Sequence, residues 1–460
     1  MSTKRGWALA SRCIREQRRT GMIRPLNSRR PVWNFPIRIK SVLILPLFGA
    51  LIVGLTFSAD DAGLASSATN QFAVDLHRQL ATGDQNLCVS PYSVETALAM
   101  TFAGADGGTR DQMSRVLHLS KNGDAVDASF SSLQRSLEEM TRKTAEIAAE
   151  SKKRGGPSQP ITLAIANRLF AQSGYDFRSS FLDLVKKFYG APFEALDFTK
   201  NADAARQHIN KWVADQTRDR IRDLIPANGV NDMTRLVLAN ALYLKAPWAS
   251  EFSEFYTKPK PFHVRGGATV DVAMMQRLNE FGYAKRDGFT AVTLPYSGGD
   301  LQFLVLLPDE VNGLQTLEKE LSAEKLAQCA KLERQDVDFS MPKFKFEPPT
   351  IALAAALKAL GMNSAFDQPR GSANFDRIAP RKPNDYLYIS DVFHKTFIAV
   401  DEKGTEAAAA TAVTMMAATA MAPKPTPPPI VVNIDRPFLY AIQHVPSGVC
   451  LFLGRVTDPR

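Results

Sequence analysis

The stretch DEKGTEAAAATAVTMMAATAMAPKPTPPPIVVNIDRP, residues 401–437, decides how the rest of this chain is read. It lies between two β-rich segments, YLYISDVFHKTFIAV before it and FLYAIQHVPSGVCLFLGRV after it, so it bridges two parts of one body. Bridges this long inside a compact domain are uncommon and usually functional. Its two halves differ in physics. From Gly404 to Val413 one glycine is followed by small or β-compatible residues without proline, so a strand is allowed there. Beyond it, Pro423, Pro425 and Pro427 to Pro429 lack the donors a central strand needs and favour an extended polyproline conformation. Composition alone would also allow an alanine-rich helical surface linker. The flanking residues decide against that.

The chain has 460 residues, 45% apolar and 22% charged, which is ordinary globular composition with enough material for a large core. Its net charge of +9 is unevenly placed: residues 1–40 hold eleven Lys or Arg against Glu16 alone, a local +10, which leaves −1 for everything after. The high pI therefore gives the folded body no nucleic-acid-binding character. After the basic run comes SVLILPLFGALIVGLTF, residues 41–57, uncharged and broken by Pro46, Gly49 and Gly54. A basic segment, a short apolar one and small residues Thr56 and Ser58 before Ala59 fit a signal peptide over residues 1–58; left uncut, the same segment would be an anchor. Secretion or a periplasmic location is expected, or tethering to the membrane facing outward. Membrane contact is expected only through that segment.

Cys13 lies in the leader; Cys88, Cys329 and Cys450 sit beside apolar residues, with neither CxxC nor Cys/His ligand spacing, and read as buried thiols. The six histidines include no HExxH pair, and GxSxG and GxGxxG are absent. Neither cofactor nor metal is expected, and the chain is not read as an enzyme. GADGGT, residues 104–109, ends a helix and lacks the Lys-Ser/Thr of a phosphate loop. Residues 138–156, closing in Lys152-Lys153-Arg154, read as a solvated loop. NQFAVDLHRQL and ETALAMTFAGA have helical spacing, as does INKWVADQTRDRIRDLIP with Ile209, Trp212, Val213 and Ile221 inward; ITLAIANRLFAQ and LVLANALYLKAP read as buried strands.

In their order along the chain these segments resemble the serpin family, including its bacterial members. The motif Val-Asp-Glu-Lys-Gly-Thr-Glu-Ala-Ala-Ala-Ala-Thr looks like the hinge of a serpin reactive-centre loop, followed by Arg436-Pro437-Phe438. Ser90-Pro91-Tyr-Ser93, Asn240, Trp248, Met274-Met275, Pro342-Lys343-Phe344, His394 and Gly454-Arg455-Val456 fall at family positions. The resemblance covers about residues 68–459 and implies a single α+β domain over 66–460, with three β-sheets, surrounding helices and an exposed loop at about 401–432. It implies a shutter made of Ser90, Pro91, Ser93, Asn240 and His394. The implied hinge is Glu402, Gly404, Thr405, Glu406, Ala407, Ala408, Ala409, Ala410 and Thr411, with Thr405 expected at the exposed base of the loop.

The function implied is that of a monomeric suicide-substrate protease inhibitor: the cut loop enters the large sheet as a new strand while the protease is still ester-linked to it. The alternative is a non-inhibitory carrier, chaperone or storage member, which would typically carry bulky or charged hinge residues where this chain carries none. Family spacing from Gly404 places the scissile bond at Ala418-Thr419, with Met416 and Ala417 as alternative positions. Small or apolar residues there imply elastase-like or subtilisin-like serine proteases as targets, with papain-like cysteine proteases as a further class. Lys424 precedes Pro425, so trypsin-like cleavage is not expected.

Overall fold

Residues 62–156, 158–383, 385–406 and 427–460 are described by a computed structural model. The chain divides into two units, residues 1–55 and 56–460, and all described residues belong to the second.

Helix α1 (Gly63–Leu80) buries Phe72 and Leu76 on one stripe. Strand β1 (Leu87–Val89) then leads into α2 (Pro91–Ala103), where the Ser90 hydroxyl accepts the Ser93 amide as an N-cap and Pro91 occupies the first turn, where its missing donor does no harm. Helices α3 (Gly107–Val116) and α4 (Gly123–Lys153) follow. The next elements are β2 (Thr162–Gln172), α5 (Ser179–Tyr189), β3 (Phe193–Leu196), α6 (Phe198–Gln216) and β4 (Leu236–Pro247). Strands β5 (Lys258–His263), β6 (Thr269–Arg286), β7 (Phe289–Pro295) and β8 (Leu301–Pro308) run consecutively. Helices α7 (Leu314–Glu320) and α8 (Ala323–Gln328) separate them from β9 (Arg334–Pro342), β10 (Phe344–Phe346) and β11 (Ile351–Ala352). After α9 (Ala354–Ala359) come β12 (Phe393–His394), β13 (Ile398–Asp401), β14 (Gly404–Thr405), β15 (Ile430–Asn433), β16 (Phe438–His444) and β17 (Val449–Val456).

Three sheets are formed among these strands, as expected. One of six strands has the order β10-β13-β14-β4-β2-β3; one of nine runs β1-β17-β16-β8-β7-β6-β9-β15 with β5 on β6; β11 and β12 make a small pair. Strands β8, β16 and β17 are buried along their whole length, and Phe303 stacks on Tyr440 with centroids 5.4 Å apart. Each such large apolar side chain contributes roughly 1.5–3 kcal/mol on burial. At Gly454 a β-carbon would lie 2.2 Å from the Leu87 carbonyl oxygen, so only glycine lets β1 and β17 approach as they do.

Two sequence expectations are corrected. Residues 138–153 are helix, the second half of α4, because Leu133, Leu137, Met140, Thr144 and Ala148 form a buried stripe while Glu139, Arg142 and Glu146 pair along the outer face. Helix α6 ends at Gln216, and Ile221 is buried from the loop beyond it, while Trp212 is only partly buried. The three body cysteines are buried free thiols, with Cys88 pushed up to about 11 by burial.

Candidate functional site: the hinge and its sheet

The base of the long loop is already seated in the six-stranded sheet. Gly404 and Thr405 form the two-residue strand β14, antiparallel to β13 on one side (Val400↔Thr405, Asp401↔Gly404) and to β4 on the other (Gly404↔Pro247, Thr405↔Ala246). This corrects the expectation of an exposed Thr405, whose exposure is 3%. Its hydroxyl shares a 2.5 Å hydrogen bond with the Tyr296 hydroxyl. The Tyr296 ring stacks on Trp248 at 4.6 Å and 8°, and Trp248 Nε1 donates to the Asp401 carbonyl at 2.9 Å. Gly404 adopts φ +153°, and a β-carbon there would lie 2.1 Å from the Ala246 carbonyl oxygen.

Glu402, just before the strand, is nearly buried; Lys343 Nζ reaches it at 2.8 Å and the Thr257 hydroxyl donates to it at 2.8 Å. Burial alone would raise its carboxyl, but these two partners outweigh that and hold it below the ordinary range. Glu406, just after the strand, donates its amide to Ala399 O at 2.7 Å and then turns out of the sheet with φ +47°. Arg220 Nε meets its carboxylate at 2.6 Å.

Below β14 the sheet is open. Strand β4 pairs with β2 from Leu236 to Lys245, whereas β14 meets only Ala246 and Pro247 on its other edge. A cavity of about 360 Å³ lies at the far end of β4 from β14, lined by Leu236, Leu238 and Asn240 of β4, by Ser93 and Leu98 of α2, and by residues 386–394. Ser90, Ser93, Asn240 and His394, expected to form a shutter, come together beside it. His394 Nε2 accepts the Ser90 amide at 3.0 Å, the Ser90 hydroxyl donates to Leu451 O at 2.8 Å, and Ser93 donates to Asn240. His394 therefore engages the serine pair through the backbone of Ser90, and as an acceptor at Nε2 it carries its proton on Nδ1.

Burial holds His394 neutral, pushing it down from 6.5 to about 4, and does the same to His444, with Asp300 opposing. Each stays neutral in the fold while the unfolded chain takes up a proton below pH 6.5. Their contribution to stability is thus present above pH 6.5 and lost as pH falls towards 4. Asp127, raised to about 6 by burial, works with the opposite sign, so the comparison must be between variants. His394→Gln should lose less stability than the wild type between pH 6.5 and 4, by roughly 3 kcal/mol. Urea unfolding at each pH reads this, and parallel curves would contradict it.

Ala407 to Thr411, together with Met416, Ala417, Ala418 and Thr419, lies outside the described residues. On the far side of the loop Pro427 to Pro429 are exposed, and the backbone enters a strand only at Ile430, where β15 runs parallel to β9. What spacing along the sequence did not reveal is the set of residues meeting the hinge from elsewhere: Tyr296, Trp248, Thr257, Lys343 and Arg220. Trp248 and Lys343 carried a signal, their family positions, but nothing in it showed which hinge group each meets.

Residues 67–459, which include the two-residue strand β14 and the sheet around it, match the family model described as serpin (serine protease inhibitor). The chain belongs to the serpin family. An uncharacterized serpin-like protein of Thermococcus kodakarensis is 38% identical over 397 residues, covering 86% of this chain and 85% of its own. The leukocyte elastase inhibitor of Equus caballus is 35% identical over 405 residues, covering 86% and 99%. Among solved structures, cleaved Serpin 42Da matches with a TM-score of 0.71 at 29% identity, covering 88% of this serpin and all of that chain. In this serpin, Gly404 and Thr405 are the described residues at which the long loop leaves the six-stranded sheet.

Proposed function

We propose that this serpin is a suicide-substrate inhibitor that acts outside the cytoplasm and traps an elastase-like or subtilisin-like serine protease. The observation that carries this reading is the expected hinge seated between β13 and β4, where the rest of that β4 edge has no strand paired to it among the described residues. From there, alternation would send Ala407, Ala409, Thr411 and Val413 inward and Ala408, Ala410 and Ala412 outward, all small enough to enter with little steric cost. About a dozen new backbone hydrogen bonds at 0.5–1.5 kcal/mol net each would release on the order of 10 kcal/mol. Until the loop is cut, that energy is held back kinetically. A protease acylated at Ala418 would be carried along with the moving strand before its ester hydrolyses.

Small residues around the proposed bond favour small primary pockets, and a relative bearing the name leukocyte elastase inhibitor supports the same target class. Incubation with elastase-like, subtilisin-like and papain-like proteases should give an SDS-resistant complex with at least one of the serine enzymes. After denaturation, the C-terminal peptide should begin within residues 417–422 by mass spectrometry. A peptide beginning at Pro425 would overturn the proposed bond, and cleavage without complex across the panel would overturn inhibition.

A further inference from the structure

The hinge stops at a definite place, and the residue at the stop is held from outside the sheet. Antiparallel register with β13 continues past β14: Val400 faces Thr405, and the Glu406 amide already bonds to Ala399 O at 2.7 Å. Extended backbone at Glu406 would therefore lengthen the strand without any change of register. Instead Glu406 is left-handed at φ +47°, a conformation that a non-glycine residue adopts only when its surroundings impose it. The Glu406 carboxylate is engaged by Arg220, from the loop after α6. Its Nε meets Glu406 Oε1 at 2.6 Å, and its guanidinium lies over the Phe397 ring at 5.1 Å, next to β13. The Glu406 side chain is 12% exposed, its Oε2 is buried without a hydrogen bond, and it faces the Tyr243 hydroxyl as well as Arg220, so the guanidinium is the cation that offsets placing this carboxylate there.

We propose that Arg220 is a positioning residue that arrests loop insertion after Thr405 by pinning Glu406 in the outward turn. The inference rests on the inhibitory reading above and adds the residue that sets the resting position of the loop. Without the guanidinium, the outward turn leaves a nearly buried carboxylate with no opposing charge on strained backbone. Relaxation to an extended conformation removes the strain and takes the chain one residue further into the open gap. Loss of Arg220 should therefore let the uncut loop advance.

The full-length protein, uncut, is incubated at raised temperature, and conversion to a heat-resistant loop-inserted form is followed by thermal unfolding and native electrophoresis. Arg220→Ala and Glu406→Gln should convert about five- to tenfold faster than wild type, in proportion to the loss of one partly buried ion pair. Arg220→Lys should restore most of the wild-type rate. Arg222→Ala removes a nearby guanidinium that pairs with Asp219 and should leave the rate unchanged. A residue that merely supported folding would lower the first unfolding temperature without speeding conversion, and that result would overturn the proposal. Equal conversion by Glu406→Gln and wild type would do the same, even if Arg220→Ala failed to fold. Because the conversion assay uses no protease, a failure of the inhibitory reading would show separately, as absence of complex with the wild-type protein.

Discussion

Thr405→Arg should abolish protease trapping while leaving a folded protein whose loop is still cut. The wild-type side chain is 3% exposed and hydrogen-bonded to Tyr296, itself buried against Trp248. An arginine there would place a long cation among aromatic rings, at an expected several kcal/mol. Strand β14 is only two residues long and ends in the loop, so the least costly relief is to expel it from the sheet and leave the core intact. Two measurable effects follow. Hinge cleavage by a nonspecific protease should rise in the uncut variant, because Gly404 and Thr405 leave the sheet. After cutting at the bait, insertion must again bury the arginine, so the ester has time to hydrolyse; complex yield should fall at least tenfold, a barrier difference of about 1.4 kcal/mol or more. Cleaved protein should then lack the rise in melting temperature that insertion brings. Trapping at wild-type efficiency would show that loop insertion is not the mechanism.

Gly404→Val should give an equally large loss by a different route. The new β-carbon would lie 2.1 Å from Ala246 O and 2.8 Å from Pro247 Cα, both backbone atoms of β4, which cannot step aside like a flexible side chain. The backbone at φ +153° is also one that a β-branched residue rarely adopts. Charge plays no part, so added salt should not rescue this variant. Thr405→Ser, which keeps the hydroxyl for Tyr296 and removes only a methyl, should retain most of the trapping. Complex yields measured for the three variants side by side separate steric exclusion at Gly404 from charge burial at Thr405. Gly404→Val trapping as well as Thr405→Ser would refute the seated hinge.

The parts of this architecture that were legible in the sequence are those written locally. Strands β2 and β4 announce themselves as apolar runs, and the Ser90-Pro91 start of α2 is a cap signal that needs no tertiary context. Two features were hidden for opposite reasons. The second half of α4 reads as a charged loop because its buried stripe is thin, with Thr144 and Ala148 standing where larger apolar residues would have signalled helix. The seated hinge was hidden because its contacts come from far along the chain: Thr405 meets Tyr296, and Glu406 meets Arg220. No spacing rule connects such positions. Gly404 was legible as a pivot, but that the pivot also serves as a point of backbone contact follows only from β4 passing beside it.

The way the chain returns after the loop determines what a cut at Ala418-Thr419 leaves behind. Everything past the loop consists of β15, β16 and β17, and two of these are interior strands: β16 lies between β17 and β8, and β17 between β1 and β16. Buried along their whole length, they form the middle of a sheet assembled largely from residues before the loop. Proteolysis would thus make a two-chain molecule and not a shortened one. The smaller chain would stay locked in by a full set of ladder hydrogen bonds and its core side chains, and would come away only when the whole body unfolds. In solution, size and charge would hardly register the event, and the cut molecule would refold, if at all, as a bimolecular reaction dependent on concentration.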